Sequence, residues 1–250
     1  IMKIYERLSK SVGRIMKKQA AYPIVLSGDH STAGGTIAGI KSAYPEERLG
    51  VIWIDAHADL HSPYTTPSGN MHGMPLAAAL GEDNLEMKTN ELDEKTVELW
   101  DKLKNSGGIV PKIEYRDLVY IGVRDTEEQE DFLIEKHHVK NVSTKELRTK
   151  GVETIVHDVF QHLNHCDRIY VSFDVDSLDP RISVGTGTPV PNGLRVKEAK
   201  DLMTQLVSNP KVCCFEIVEI NPTLDTENSM AETAFKILEA ATNAALSNED

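Results

Sequence analysis

Acids and histidines gather at four places along the chain, each time directly after a short apolar run. Ile24 to Leu26 is followed by Ser27-Gly28-Asp29-His30-Ser31, and Val51 to Ile54 by Asp55-Ala56-His57-Ala58-Asp59. Tyr170 to Phe173 leads into Asp174-Val175-Asp176-Ser177-Leu178-Asp179-Pro180, and Cys214 to Val218 into Glu219-Ile220-Asn221-Pro222. Chance would scatter such residues over helix faces. Brought to one crevice, Asp55, Asp59, Asp174, Asp176 and Glu219 raise one another's pKa and cannot all stay ionised. Divalent cations remove that conflict, and carboxylate plus imidazole is the ligand set of intermediate metals. His30 and His57, with Asp55, Asp59, Asp174 and Asp176, offer more ligands than one ion needs. Two ions sharing aspartates use them all, as in hydrolytic centres whose metals lie ~3.5–4 Å apart.

Spacing supports convergence. In an extended segment residues i, i+2 and i+4 point to one side, so Asp55, His57 and Asp59 are expected to reach one place, and Asp174 and Asp176 likewise. Singly, each motif has a structural explanation. An Asp-x-Asp at a strand end is commonly a turn or cap, and Asp29-His30-Ser31 can open a helix with Ser31 as N-cap. Recurrence at successive strand ends is what favours a metal centre. Other candidates lack that support. His137 and His138 follow a helix end and suit a solvated surface at its negative pole. His157, His162 and His165 have no acids in a metal pattern beside them, and Met71 and Met74 read as packing.

These motifs need strands to carry them, and the apolar periodicity supplies strands alternating with helices. Helices are predicted over residues 3–19, 31–44, 75–80, 94–103, around Leu133 and Ile134, and over 152–163, 196–208 and 230–246. Strands are predicted over 24–26, 49–55, 118–123, 168–174 and 212–220, with a polar loop over 56–74 and a Pro/Gly-rich loop over 176–194. Continuous apolar strands separated by helices indicate a parallel sheet covered on both faces. In such sheets ligands bind outside the carboxyl ends of the strands, where the four motifs stand. No linker or repeat divides the chain, so one α/β domain is expected.

Composition narrows the partners. The 250 residues are 40% hydrophobic and 26% charged, which suits one ordinary core and rules out disorder. A net charge of −12 disfavours nucleic acid, whose phosphates want a basic face. No apolar run approaches the ~18–20 residues of a membrane helix. Three cysteines, two of them adjacent, point to buried thiols in a reducing compartment, and no signal peptide is visible, so a cytoplasmic setting is expected. The opening Ile1 is an unusual translational start, so upstream residues are expected.

The four strand-end motifs, in this order, resemble the ureohydrolase superfamily of arginases and agmatinases. The loop Thr65-Thr66-Pro67-Ser68-Gly69-Asn70-Met71-His72-Gly73 is similar to that of the arginases within it, as are Gly122-Val123-Arg124-Asp125 and Thr186-Gly187-Thr188-Pro189. The resemblance runs from about Val25 to the end. It implies a three-layer α/β/α fold with a parallel central sheet and two Mn2+ per chain. One ion would take His30, Asp55, Asp59 and Asp174, the other His57, Asp55, Asp174 and Asp176, with Asp55 and Asp174 bridging. A hydroxide between them would attack the guanidinium carbon of L-arginine, giving L-ornithine and urea, a reaction of arginine metabolism and the urea cycle. His72 matches the proton-shuttle histidine and Glu219 the acid that pairs with the guanidinium, with Thr188 beside it. Together with Asp59 these two form the implied catalytic set. His57, Asp59, His61, Ser68, Asn70, Glu127 and Glu130 complete the implied substrate contacts, and a homotrimer is implied by analogy. The physics agrees, since a histidine titrating near ambient pH suits proton delivery to a poor leaving group, and a carboxylate grips a planar guanidinium.

Some residues depart from the family pattern. His61 stands where arginases have Asn, Glu127 where they have Asp, and Glu216 where Asp is usual. The first two touch amino-acid recognition and leave the metals alone. By the resemblance, the family's first strand and helix are expected upstream of Ile1. Agmatinase and formimidoylglutamase remain alternatives inside the superfamily, although the Ser68-Gly69-Asn70 loop argues for a substrate bearing an α-carboxylate. A non-catalytic metal-binding relative is disfavoured because every ligand position is filled. A two-metal phosphoesterase ranks last, since no basic residue stands near the motifs.

Overall fold

Six parallel strands form one sheet, β1 (Ile24–Leu26), β2 (Leu49–Ile54), β3 (Leu118–Ile121), β4 (Lys140–Val142), β5 (Arg168–Asp174) and β6 (Val212–Val218), in the order β1-β6-β5-β2-β3-β4. The computed structural model describes residues 1–18 and 21–247, so Gln19, at the end of the first expected helix, lies outside the described residues. The helices are α1 (Met2–Lys18), α2 (Ala33–Ala43), α3 (Pro75–Leu80), α4 (Glu94–Lys104), α5 (Glu128–Lys136), α6 (Thr144–Lys150), α7 (Val152–His162), α8 (Val196–Val207) and α9 (Ser229–Leu246).

Every residue of β2 and β6 is buried, and all of β5 after Arg168, because each side of the sheet is covered. Alternate residues feed two cores. Ile52, Ile54, Val171, Phe173, Phe215 and Ile217 pack with residues of α7, α8 and α9. Val51, Trp53, Leu118, Tyr120, Tyr170 and Cys214 pack with residues of α1, α2 and α3. The result is a three-layer α/β/α fold, as expected. Helices α1 and α2 approach so closely that a Cβ on Gly39 would stand 2.8 Å from the Ser9 carbonyl oxygen, which makes a glycine necessary there.

Two elements escape the periodicity. Strand β4 is a three-residue edge with one fully buried side chain, and α6 buries only Leu147, so neither carries an apolar pattern. Strands β3 and β6 also stop earlier than expected, at Ile121 and Val218, where Gly122 (φ 93°) and Glu219 (φ 67°) turn the chain in left-handed conformations.

Candidate metal centre and active site

The carboxyl ends of β1, β2, β5 and β6 open on one cavity of about 420 Å³. His30, His57, Asp59, Asp174, Asp176 and Glu219 all line it, and Asp55 lies fully buried against them. So do His61, Ser68, Asn70, His72, Glu127, Glu130 and Thr188. Every residue singled out for chemistry is therefore in one place.

Convergence is achieved differently from the expected extended run. The backbone bends over residues 55–57, and Asp59 sits at φ 51°, a strained conformation for a non-glycine residue. Asp55 Oδ1 accepts the His57 N–H at 2.8 Å, and Asp174 Oδ1 the Asp176 N–H at 2.7 Å. Asp176 Oδ1 accepts the Ala56 N–H at 3.1 Å. Each of these three aspartates thus anchors one oxygen to the backbone and turns the other inward. Ahead of α2, Asp29, not Ser31, caps the turn, accepting the Ser31 N–H at 2.9 Å and setting His30 against the sheet.

His30 Nδ1 faces Asp55 Oδ2 at 2.9 Å, Asp59 Oδ2 at 3.2 Å and Asp174 Oδ2 at 3.2 Å. His57 Nδ1 faces Asp176 Oδ2 at 3.0 Å and Asp55 Oδ1 at 3.5 Å. Two ligand groups result, His30-Asp55-Asp59 and Asp55-His57-Asp176, with Asp55 common to both. Among the described residues neither His30 Nδ1 nor Asp55 Oδ2 has a hydrogen-bond partner of proper geometry, although both are buried. Buried polar atoms are almost always satisfied. Lone pairs that converge on a common point without bonding one another fit a cation, and the sharing of Asp55 fits two.

Electrostatics carries the same message. Burial and the charges of Asp176 and Asp55 drive the Asp174 carboxyl well above its usual range. Burial and Asp55 push Asp59 up to about 6. Against burial, the imidazoles of His30 and His57 hold Asp55 well below it. Burial opposes the charge of His57, yet Asp176 and Asp55 push its imidazole up to about 12. Carboxylates so crowded need positive charge among them, as the sequence argument required.

A row of residues beneath the ligands went unrecognised in the sequence. His30 Nε2 lies 2.7 Å from Ser172 Oγ, which reaches Glu216 Oε1 at 3.3 Å. Glu216 is fully buried and takes the Thr36 hydroxyl at 2.9 Å. The His30 ring stacks on Trp53 with centroids 4.0 Å apart. Ser172 stands two residues before Asp174 on the same strand, the one sequence signal that could have found it. Arg124 donates to the carbonyls of Gly122, Pro191, Asp176 and Val190, and so pins the loop that carries Thr188. Thr188 Oγ1 lies 3.2 Å from Asp176 Oδ2.

The profile of the arginase family matches residues 1–243. The arginase of Bacillus subtilis strain 168 is 36% identical over 235 residues, which cover 94% of this chain and 73% of that one. The chain belongs to the arginase family. The arginase of Bacillus caldovelox is 37% identical over 234 residues, covering 93% of this chain and 72% of its own. The crystal structure of the Bacillus subtilis arginase superposes with a TM-score of 0.83 at 36% identity, covering 95% of this chain and 77% of that one. Family membership and the paired ligand groups together give a binuclear metal site.

The remaining histidines fall elsewhere. His165 Nε2 lies 2.8 Å from Asp117 Oδ1, beside Arg48 and Cys166, at the amino-terminal ends of β2, β3 and β5. His137 stacks on Tyr115. Met74 is buried and Met71 packs partly buried against the same cluster, as expected.

Proposed function

We propose that the centre holds two manganese ions and that the chain hydrolyses L-arginine to L-ornithine and urea. The observation that carries this reading is the pair of ligand groups sharing Asp55 on the floor of a cavity that also presents Glu219 and His72. His30, Asp55, Asp59 and Asp174 would hold one ion, and His57, Asp55, Asp174 and Asp176 the other. When bound, such ions neutralise the carboxylates and lower the pKa of water toward ~7, which supplies the nucleophile.

The chain's own residues do the rest. Glu219 Oε1 accepts the His30 N–H at 2.7 Å, which fixes its carboxylate at the cavity wall. There it can grip a guanidinium in a charge-assisted pair, holding the reacting carbon over the centre. Asp59 accepts a proton from the attacking water. His72 Nδ1 stands 3.8 Å from Glu219 Oε1, and its ring is one-third exposed. It is thus beside any guanidinium that Glu219 holds and open to solvent for recharging. As general acid it protonates the departing alkyl nitrogen, which otherwise leaves poorly. No Lys or Arg lines the cavity among the described residues, which favours a cationic substrate over a phosphoester.

Two settings complete the reading. Among the described residues no helix is long and apolar enough to cross a membrane, and three buried free thiols suit a reducing, cytoplasmic compartment. A homotrimer is taken from family analogy, and sedimentation would test it. The deciding experiment loads the purified chain with Mn2+, measures metal content and follows urea release from L-arginine. About two ions per chain with sustained urea release supports the reading. Two bound ions without urea release overturns it.

A further inference from the structure

Helix α1 carries a charge pattern unlike the rest of the chain. Its 17 residues hold six of the 27 basic residues and one of the 39 acids, Glu6. Lys3, Arg7, Lys10, Arg14 and Lys17 recur at spacings of four and three, which puts them on one face, and all five are exposed. Like charges at those spacings repel and destabilise a helix. Elsewhere lysines pair with acids one turn away, as Lys102 does with Glu98, Lys150 with Glu146 and Lys197 with Asp201. Among the described residues none of the five α1 cations has an acidic partner. The helix dipole accounts for Lys17 and Lys18 in the last turn, but it opposes Lys3 in the first.

Three of these cations share a groove. Lys10, Arg14 and Lys17 line a depression of about 340 Å³ between α1, the end of α2 and the turn Ser106–Gly108. Gly13, between them in sequence, has no side chain to fill it. The far wall is firmly seated, because Ser42 donates to the Gly107 carbonyl at 3.0 Å and a Cβ on Gly107 would stand 2.8 Å from the Ala38 carbonyl oxygen. Ser9 also lines the groove, is only 7% exposed, and has no hydrogen-bond partner for its hydroxyl among the described residues. Buried hydroxyls are rarely left so. Three unpaired cations above an unused hydroxyl donor make a donor set for an anion. Lys10 to Lys17 spans roughly 10 Å of helix axis, which two or three linked phosphates cover better than one. Glu6 lines the end beyond Lys10 and repels a longer anion, and no aromatic ring is present to take a base.

We propose that this groove is a second ligand site, which takes an anion of two or three linked phosphates. Arg14 grips a phosphate with its planar fork, Lys10 and Lys17 flank it as point charges, and Ser9 donates from beneath. The site is independent of the arginine reading. It lies at the end of α2 opposite His30, and the catalytic cavity has no Lys or Arg in its lining, so the two ligands do not compete. Binding removes the repulsion along α1 and therefore stabilises the fold.

Titration calorimetry of inorganic tripolyphosphate into the manganese-loaded chain tests it, at about 0.15 M salt so that charges outside the groove are screened. Chelation of Mn2+ by the probe is common to parent and variants, so the comparison between them reads the groove. The parent should bind with a Kd of about 100 μM or tighter. Arg14→Ala should weaken binding about tenfold or more, the range of one lost charge-assisted hydrogen bond, and Arg14→Lys should recover only part of that. Ser9→Ala should weaken it about threefold or more. The pair Lys3→Ala and Arg7→Ala, outside the groove, should change it by less than about threefold. Unfolding midpoints measured without the anion check that each variant folds, and tripolyphosphate should raise the midpoint of the parent but not that of Arg14→Ala. No binding at about 1 mM probe overturns the site. Equal losses in Arg14→Ala and in the Lys3→Ala, Arg7→Ala pair make α1 a diffuse basic face and overturn it too. A nucleoside triphosphate that binds more than about tenfold tighter than tripolyphosphate overturns the assignment to the phosphate chain. A single-stranded oligonucleotide that binds tighter than tripolyphosphate and depends on Lys3 and Arg7 makes the stripe a nucleic-acid surface, which also overturns the proposal.

Discussion

Ser172→Ala removes one oxygen from the floor of the metal centre and should weaken one metal position selectively. In the intact protein Ser172 Oγ lies 2.7 Å from His30 Nε2, fully buried, and holds the ring so that Nδ1 faces Asp55, Asp59 and Asp174. Without it the Nε2 proton has no partner in a dry environment, and the ring can turn only by giving up its stacking on Trp53. An unsatisfied buried donor costs about 1–3 kcal/mol. Loss of a residue that orients a metal-ligating histidine typically weakens affinity about 10–100-fold, or roughly 1.4–2.7 kcal/mol, so the two estimates agree. The assay is Mn2+ titration of the metal-free protein against a competing chelator, resolved into two sites, with Trp53 fluorescence as a local reporter. The tighter or weaker site that loses affinity should be the one His30→Ala abolishes, and the other should change by less than about threefold. If both affinities stay as in the parent, Ser172 does not orient His30. If both fall equally with the fold intact, His30 and His57 do not serve separate ions.

Three further outcomes follow from the geometry. Asp174 Oδ2 faces His30 while its other oxygen secures Asp176, so Asp174→Ala should lose both ions and Asp176→Ala chiefly the one at His57, as elemental analysis will show. His72→Asn should keep its metals and lose ~10²–10⁴-fold in kcat, and an unchanged kcat would remove His72 from the mechanism. Lys112 is buried with its Nζ on the Lys104 carbonyl, and burial pulls it down from 10.5 to about 8. Between those values the unfolded chain holds the proton and the folded one does not, so stability should rise by about 3 kcal/mol as pH climbs from about 8 to 10.5, fall back over that same window as pH is lowered, and stay level below about 8. Denaturant unfolding of the parent and Lys112→Met across that range isolates this from the tyrosines, and a difference that does not vary with pH refutes it.

The central strands and the ligand motifs were legible because burial on both faces leaves no polar interruption until the site begins. Strand β2 is apolar through Ile54 and polar from Asp55, and β5 runs apolar to Phe173 before Asp174. What stayed illegible depends on register. Trp53 pairs with Ser172, and Ser172 with Glu216, across three neighbouring strands, so the row supporting His30 exists only once the strands are aligned. A lone Ser or Glu inside an apolar strand announces no such partner. The surroundings of His61 were hidden for a similar reason. Its spacing of two from Asp59 placed it at the cavity, but Glu127, which occupies its Nε2, arrives from the start of α5.

Two of the site's carboxylates sit where the backbone resists them. Asp59 at φ 51° and Glu219 at φ 67° each occupy a left-handed conformation that costs about 1–3 kcal/mol for a non-glycine residue. A glycine would relieve either position and remove the chemistry. The same corner buries Asp55, Asp174 and Asp176 within reach of one another, a second destabilising arrangement. Both are tolerable because the fully buried strands β2, β5 and β6 beneath them make up the rigid centre of the sheet. Cation binding then returns part of the deficit, since a ligand that binds only the folded state stabilises it by RT ln(1 + [L]/Kd), about 2.7 kcal/mol at a hundredfold excess over Kd. Strain and charge crowding are thereby confined to one end of the sheet, where metal binding offsets them, and the cores on its two faces stay conventionally packed.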